Sequence, residues 1–238
     1  MSEAMNEYGQ PIGDAMPSWQ ACRVPVRESL TGRYCLLEPL DPDRHGADLL
    51  SGHKAAPDAR LWTYLTAGPF EDDAQFHAYL HRIAKSTDAL QFAVVDLATR
   101  HAAGTMALMR MDPANGVIEV GQIAFTPSLQ RTRAATEAQF LLMQLVFDDL
   151  HYRRYEWKCD HLNKPSRIAA ARLGFQFEGV FRHAMVYKQR SRDTAWFSIV
   201  DTEWPALRDA FLGWLAPENF DGDRQRTPLA DLRNRLLA

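Results

Sequence analysis

The stretch Gln130-Arg131-Thr132-Arg133-Ala134-Ala135-Thr136 follows a proline at 127 and opens a run of apolar residues with helical spacing. A strand that ends, turns and starts a buried helix leaves several backbone N–H groups aimed at one spot, together with the positive end of the helix dipole. Such a spot binds an anion. Arg131 and Arg133 add fixed positive charge, and the hydroxyls of Thr132 and Thr136 can donate to phosphate oxygens, a set that suits a pyrophosphate. The same residues also make a plain solvated cap with Thr132 as the capping side chain, and spacing alone leaves both readings open. A second group, Asn163-Lys164-Pro165-Ser166 followed by Arg172-Leu173-Gly174-Phe175, has Asn163 where an N-cap belongs and Pro165 just inside the helix. Taken alone it needs only that structural role.

Other constellations point to less. His77 and His81 stand one helical turn apart, but no carboxylate or third histidine follows at a useful spacing, so no metal is expected. The Gly-x-Ser-x-Gly elbow of a serine hydrolase is missing. Cys22, Cys35 and Cys159 have no C-x-x-C spacing, which suggests neither a disulfide framework nor a zinc cluster and leaves a reducing cytoplasm as the expected compartment. With 27 basic against 30 acidic side chains, the net charge of -3 supplies no field for nucleic acid. No run of about 18 apolar residues exists to span a bilayer, and residues 1–23 carry acids and prolines where a secretion signal has basic and apolar stretches.

The elements that must position these groups follow from periodicity. Residues 1–25 read as an irregular arm whose Trp19 could dock elsewhere. A strand is expected at 34–37, a helix from Asp41-Pro42 to about 54, and another from 72 carrying Phe76, Tyr79, Leu80 and Ile83. Three β-like runs, 91–96, 104–111 and 117–125, form a meander, with a turn at 112–116. A helix at 134–150 is apolar all round, which means deep burial. Tyr155, Trp157 and Cys159 alternate with charged residues in the next strand, and a helix at 163–173 closes at Gly174. Strands at 177–186 and 195–200, a helix at 203–215 and a charged tail with a weakly amphipathic stretch at 229–237 complete the chain. This order predicts an α+β fold: one mixed, mostly antiparallel sheet with helices on both faces. The divisions expected are an arm at 1–25, one domain at 26–203 and a helical extension at 204–238.

Together the two chemical segments resemble the GCN5-related N-acetyltransferase (GNAT) superfamily. In that family a Gln/Arg-x-x-Gly-x-Gly/Ala loop cradles the coenzyme A pyrophosphate, and an Asn-x-x-Ser/Ala helix ending in Leu-Gly-Phe lies beside the pantetheine. Thr136-Glu137-Ala138, Asn163-x-x-Ser166, Gly174-Phe175 and Glu178-Gly179 are similar to ribosomal-protein N-acetyltransferases of the RimJ/RimL type, and the resemblance covers roughly residues 31–203. It implies acetyl-CoA as cosubstrate, held by Ile123, Phe125, residues 130–136 (Gln130, Arg131, Thr132, Arg133, Ala134, Ala135, Thr136), Asn163 and Ser166. Two departures stand out. Arg133 and Ala135 occupy the family's glycine positions, which disfavours any backbone there with φ > 0. Ala170 stands where many members place a tyrosine general acid, and Ser166 resembles the serine that protonates the leaving thiolate in the RimL branch.

The chemistry so implied is direct attack of an amine on the acetyl thioester, with backbone N–H groups near 123–125 polarising the carbonyl. Lysine-type amines have pKa values of roughly 10, so a carboxylate or water relay must remove a proton. Glu119 is the first candidate because it interrupts an apolar run on the strand face of Gly121 and Ile123; an exposed edge position would explain it equally. Asp160 is the second. An acceptor pocket formed by the first two helices and their connection would contain Trp62 and Tyr64, although aromatics between helices also serve as core. The acceptor is expected to be a primary amine: a protein N-terminus, an amino acid or a small amine. A non-catalytic acyl-CoA sensor is the alternative reading. The arm and tail could join two copies into a homodimer or pack on their own domain.

Overall fold

The computed structural model describes residues 4–237; residues 1–3 of the arm and residue 238 of the tail lie outside the described residues. Its centre is an eight-stranded sheet: β1 (Leu30–Thr31), β2 (Cys35–Pro39), β3 (Ala89–Asp96), β4 (Ala102–Asp112), β5 (Val117–Phe125), β6 (Arg154–Asp160), β7 (Gln176–Tyr187) and β8 (Arg190–Val200). They lie in the order β1-β2-β3-β4-β5-β6-β8-β7, antiparallel throughout except for β5 beside β6. The α+β reading therefore holds, down to the meander β3-β4-β5, and the mixed character of the sheet comes from a single parallel step.

Strand periodicity divides the core in two. On β3, Leu90, Phe92 and Val94 point into one cluster and Ala93 and Val95 into the other, so a strand that reads as continuously apolar serves both faces. One face is covered by α1 (Pro42–Lys54) and α2 (Asp73–Ala84), whose N-caps Asp41 and Asp72 accept from first-turn N–H groups as their positions in the sequence suggested. The other is covered by α3 (Arg133–Gln144) and α5 (Trp204–Leu215), and α4 (Lys164–Leu173) packs against β6 and β7. No helix among the described residues is long and apolar enough to cross a membrane.

The expected helix at 134–150 is interrupted. After Gln144 the chain widens into a π-turn, Leu145–Asp149, from which the chain reverses towards β6. The apolar pattern continues through both pieces, so periodicity could not mark the change. The residues expected as a C-terminal extension pack into the main core: Phe211 stacks on Phe140 at 5.5 Å and Trp204 on Phe147 at 5.2 Å, and α6 (Leu229–Leu237) adds Leu229. The arm contains a short ribbon, Ala4–Met5 against Pro11–Ile12, and docks on its own domain. The Trp19 indole donates to the Ala114 carbonyl at 2.8 Å, and the Cys22 amide to that of Pro113 at 2.9 Å.

One carboxylate ties the start of α3 to the sheet. Glu137, 5% exposed, accepts from the backbone N–H groups of Arg33, Tyr34 and Cys35 at 2.6–2.8 Å. Charge-assisted bonds of this kind are about twice as strong as neutral ones. They fix the position of the helix that opens onto the site.

Candidate active site

The parallel pair β5–β6 is in register only from Val117↔Arg154 to Val120↔Trp157. Beyond Val120 the two strands part. A bulge on β5 drives the separation: Thr105 faces Ala124 and Ala107 faces Gly121, so Gln122 and Ile123 together oppose Met106. Gln122 takes φ 50°, and its side-chain oxygen accepts from the Gln91 amide. The peptide groups of residues 121–125 that face β6 therefore have no strand partner. A cleft of about 2590 Å³ opens from this wedge, with the start of α3 on one side and that of α4 on the other.

At the α3 end, Ile123, Phe125 and all of residues 130–136 line the cleft. Two details differ from expectation. The left-handed backbone falls on Arg131 (φ 64°), while Arg133 and Ala135 are helical, so neither departure from the glycine pattern meets strain. The threonine hydroxyls are also occupied. Thr132 accepts from the Ala135 N–H at 3.1 Å and donates to the Leu129 carbonyl at 2.7 Å; Thr136 donates to the Thr132 carbonyl and accepts from Arg172 at 3.2 Å. Neither keeps a proton for a phosphate. Arg133 is also engaged, pairing with Asp223 at 3.0 Å between the rings of Tyr34 and Phe220. What remains for an anion is the Arg133 and Ala134 N–H groups, the Arg131 guanidinium, and Arg172, which lies over the Trp214 ring at 4.9 Å with no carboxylate partner among the described residues. Gln130 turns inward, donating to the Phe125 carbonyl at 2.9 Å.

Asn163 both lines the cleft and caps α4, its side-chain oxygen accepting from the Ser166 N–H at 3.1 Å. That cap sets the Ser166 side chain against β6, where the Trp157 indole donates to Ser166 Oγ at 3.0 Å. With that lone pair occupied, the serine's own proton is free to be donated.

The two carboxylates named from sequence have different surroundings. Glu119 is no edge residue: it sits on a central strand, 3% exposed, with Arg110 Nη1 at 2.7 Å from both of its oxygens and Lys158 Nζ at 3.0 Å. Its cross-strand neighbour is Glu156, and Lys158 bridges the two acids, reaching Glu156 at 2.7 Å beneath the Trp196 ring. Like charges directly opposite are destabilising, and the cation offsets them. Asp160, 5% exposed, instead accepts only from neutral donors, the Leu162 N–H at 2.8 Å and the Tyr187 hydroxyl at 2.8 Å, and has no cation within ion-pair reach among the described residues. Burial and the Asp160 bond push the Tyr187 hydroxyl up to about 12, so it remains a donor.

Trp62 is a correction. Its ring does not line the cleft but is buried in the second core, edge-on to Phe70 at 5.0 Å and Tyr79 at 6.1 Å and beside His53 at 5.1 Å. Aromatic contacts of this kind are worth more as packing than as a platform. Tyr64 does face the cleft, as do Phe181, Met185 and Arg192 of the β7–β8 hairpin. Tyr187 is not visible in the sequence because the hairpin turn is Lys188-Gln189, at φ 46° and 59°, in place of the Asn-Gly or Asp-Gly that signals such a turn; Arg192 reads there as one of several arginines able to recognise a carboxylate, but arginines at strand ends are usually solvated, so it carries no assignment.

Residues 35–176 match the family described as the acetyltransferase (GNAT) domain. A crystal structure of a GCN5-related N-acetyltransferase from Brucella melitensis is 51% identical, covers 92% of this chain and all of that one, and superposes with a TM-score of 0.90. The uncharacterized N-acetyltransferase p20 of Bacillus licheniformis is 28% identical over 165 residues, 66% of this chain and 89% of that protein. An acetyl transferase from Salmonella typhimurium that modifies the N-terminal serine of 50S ribosomal protein L7/L12 shares the fold, with a TM-score of 0.60 at 18% identity over 73% of this chain and 99% of that one.

Proposed function

The chain belongs to the GNAT acetyltransferase family and is an N-acetyltransferase; from that premise we propose that it transfers acetyl from acetyl-CoA to a primary amine by direct attack, with Asp160 as proton acceptor and Ser166 as proton donor. The family implies an acyl-CoA cosubstrate, and the residues present suit one. Open N–H groups at the α3 start, Arg131 and Arg172 suit its phosphates, and the unpaired edge of β5 suits its amide-bearing arm. Bound there, acetyl-CoA supplies the thioester that is cleaved.

The chain's own residues manage the protons. Asp160 takes the proton that the amine nitrogen loses as the N–C bond forms. Ser166 Oγ, its lone pair held by the Trp157 indole, gives its proton to the sulfur as the C–S bond breaks. The electron pair of that bond leaves on sulfur, and solvent later returns the Asp160 proton to Ser166. N–H groups near 123–125, exposed by the bulge, hold the carbonyl oxygen as charge gathers on it.

Glu119 is set aside as the base because Arg110 and Lys158 occupy both of its oxygens. The observation that carries the reading is the contrast at Asp160: a buried carboxylate on the cleft wall with neutral donors alone. Thiol release from acetyl-CoA across a panel of primary amines, including peptides with free N-termini, tests it. Asp160→Asn and Ser166→Ala should each bind acetyl-CoA normally and turn over at least 100-fold more slowly. Undiminished turnover in Asp160→Asn would overturn the assignment.

A further inference from the structure

We infer that the acceptor is a small amine that also bears a carboxylate, and that Arg192 binds that carboxylate; this deepens the acetyl-transfer reading and rests on it. The acceptor end of the cleft holds two charges that the protein leaves incomplete. Asp160 is a buried acid without a cation. Arg192 is a half-buried guanidinium on the same cleft wall, and its Nε donates to Thr194 Oγ1 at 3.1 Å. Its two terminal nitrogens have no partner among the described residues. Both charges lie against Tyr187, Asp160 Oδ2 at 2.8 Å from its hydroxyl and the Arg192 guanidinium carbon 5.9 Å from its ring centroid. They do not pair with each other. The tyrosine is the common support that keeps them apart.

Several other cations at this end are taken, and Lys164 stands exposed to solvent at the start of α4. Arg110 and Lys158 serve Glu119 and Glu156, Arg60 is held by Asp58 at 2.6 Å, and Lys188 donates to the Trp62 carbonyl at 2.6 Å. Arg192 is therefore the half-buried cation left for a ligand among those named here. A charge removed from water without a partner is costly, and a guanidinium's fork matches a carboxylate in two parallel bonds. A ligand with an amine for Asp160 and a carboxylate for Arg192 completes both.

Size follows from a tie in the cleft lining. Lys188, at the tip of the β7–β8 hairpin, is tied to the 60–62 turn, so two segments that each contribute residues to the cleft lining are joined to one another. Phe181, stacked on Trp196 at 4.4 Å, forms an apolar wall beside them. A wall joined in this way suits a free amino acid, which can reach Asp160 and Arg192 at once, better than the terminus of a folded protein.

The test uses the full chain with saturating acetyl-CoA and compares kcat/KM for free amino acids, the matching amino-acid amides and short peptides with free N-termini. A site built to bind a group rejects the analogue lacking it strongly, so acids should exceed amides by at least 100-fold. Arg192→Gln should bring the acids down to the level of the amides, and Arg192→Lys should restore part of the difference. Calorimetric acetyl-CoA affinity reports that both variants are folded. Amides or peptides that equal the acids in the unmodified protein would overturn the inference, as would an equal loss for acids and amides in Arg192→Gln. Should no amine release thiol, the transfer reading fails separately; calorimetry of amino acids against amides on the coenzyme A-saturated protein then decides this one, and equal heats reject it.

Discussion

At the α3 end of the cleft the groups aimed at a ligand are largely peptide N–H groups, supplied by one stretch, residues 121–136, with Arg131 and Arg172 beside them. At the acceptor end they are side chains brought from residues 60–66, 158–166 and 181–196. Backbone donors depend on a bulge and a helix start, and many sequences can build both. That is why Arg133 and Ala135 stand at family glycine positions without strain. Side-chain donors depend on identity, so the acceptor end is where substitution changes what the protein does.

The largest effect expected from this contrast is at Ser166 and Asp160, where losing a positioned proton donor or acceptor lowers kcat by about 10²–10⁴-fold with acetyl-CoA affinity intact. Stopped thiol release and calorimetry on the same preparations separate the two quantities. If affinity fell along with rate, the two ends would not be independent.

Next comes Glu119. Glu119→Gln leaves Arg110 without its charge partner and Lys158 with Glu156 alone, and should lower stability by about 1–3 kcal/mol in urea unfolding, with turnover changed only a few-fold. A 100-fold loss of turnover at unchanged stability would return the base role to it.

Acid should weaken the two ends unequally. Burial lowers His53 from 6.5 to about 4, and its Nδ1 has no partner where the ring packs on Trp62 and Phe76. The unfolded chain takes up this proton at higher pH than the folded one, so stability is lost as pH falls from about 6.5 towards 4, by on the order of 2–3 kcal/mol. Amide exchange should rise first at residues 60–66 while the start of α3 stays protected, and His53→Phe should flatten the difference. Uniform exchange across both ends would erase the distinction.

The smallest effect tests the backbone side. Ala135→Gly restores a family glycine but should leave acetyl-CoA affinity unchanged and cost about 0.5–1 kcal/mol in helix stability. A gain in affinity would mean that the present loop is a compromise.

The same contrast explains what could be read from the sequence. The helix starts at Asp41, Asp72, Thr132 and Asn163 carry their capping residues in plain view, and the strands carry their alternation, so the fold and the α3 loop were legible. Glu137 was visible only as a motif letter, because its three donors lie about a hundred residues earlier. The surroundings of Trp62 and Glu119 were hidden for one reason: a single aromatic or acid does not announce its neighbours, and here these include residues of α2 and β6. Arg133 was expected to face a phosphate, and only the fold of the tail brings Asp223 and Phe220 to it.

The family match ends at residue 176, the first residue of β7, and leaves the rest of β7, β8 and α5 outside it. Kinship and packing thus draw different borders around this molecule. A polypeptide cut at the kinship border would bare one whole edge of β6, strip the aromatic cover from Phe140 and Phe147, and lack both Tyr187 and Arg192. The last quarter of the chain, outside the family match, thus closes one side of the fold and supplies the residues on which the proposed choice of acceptor rests.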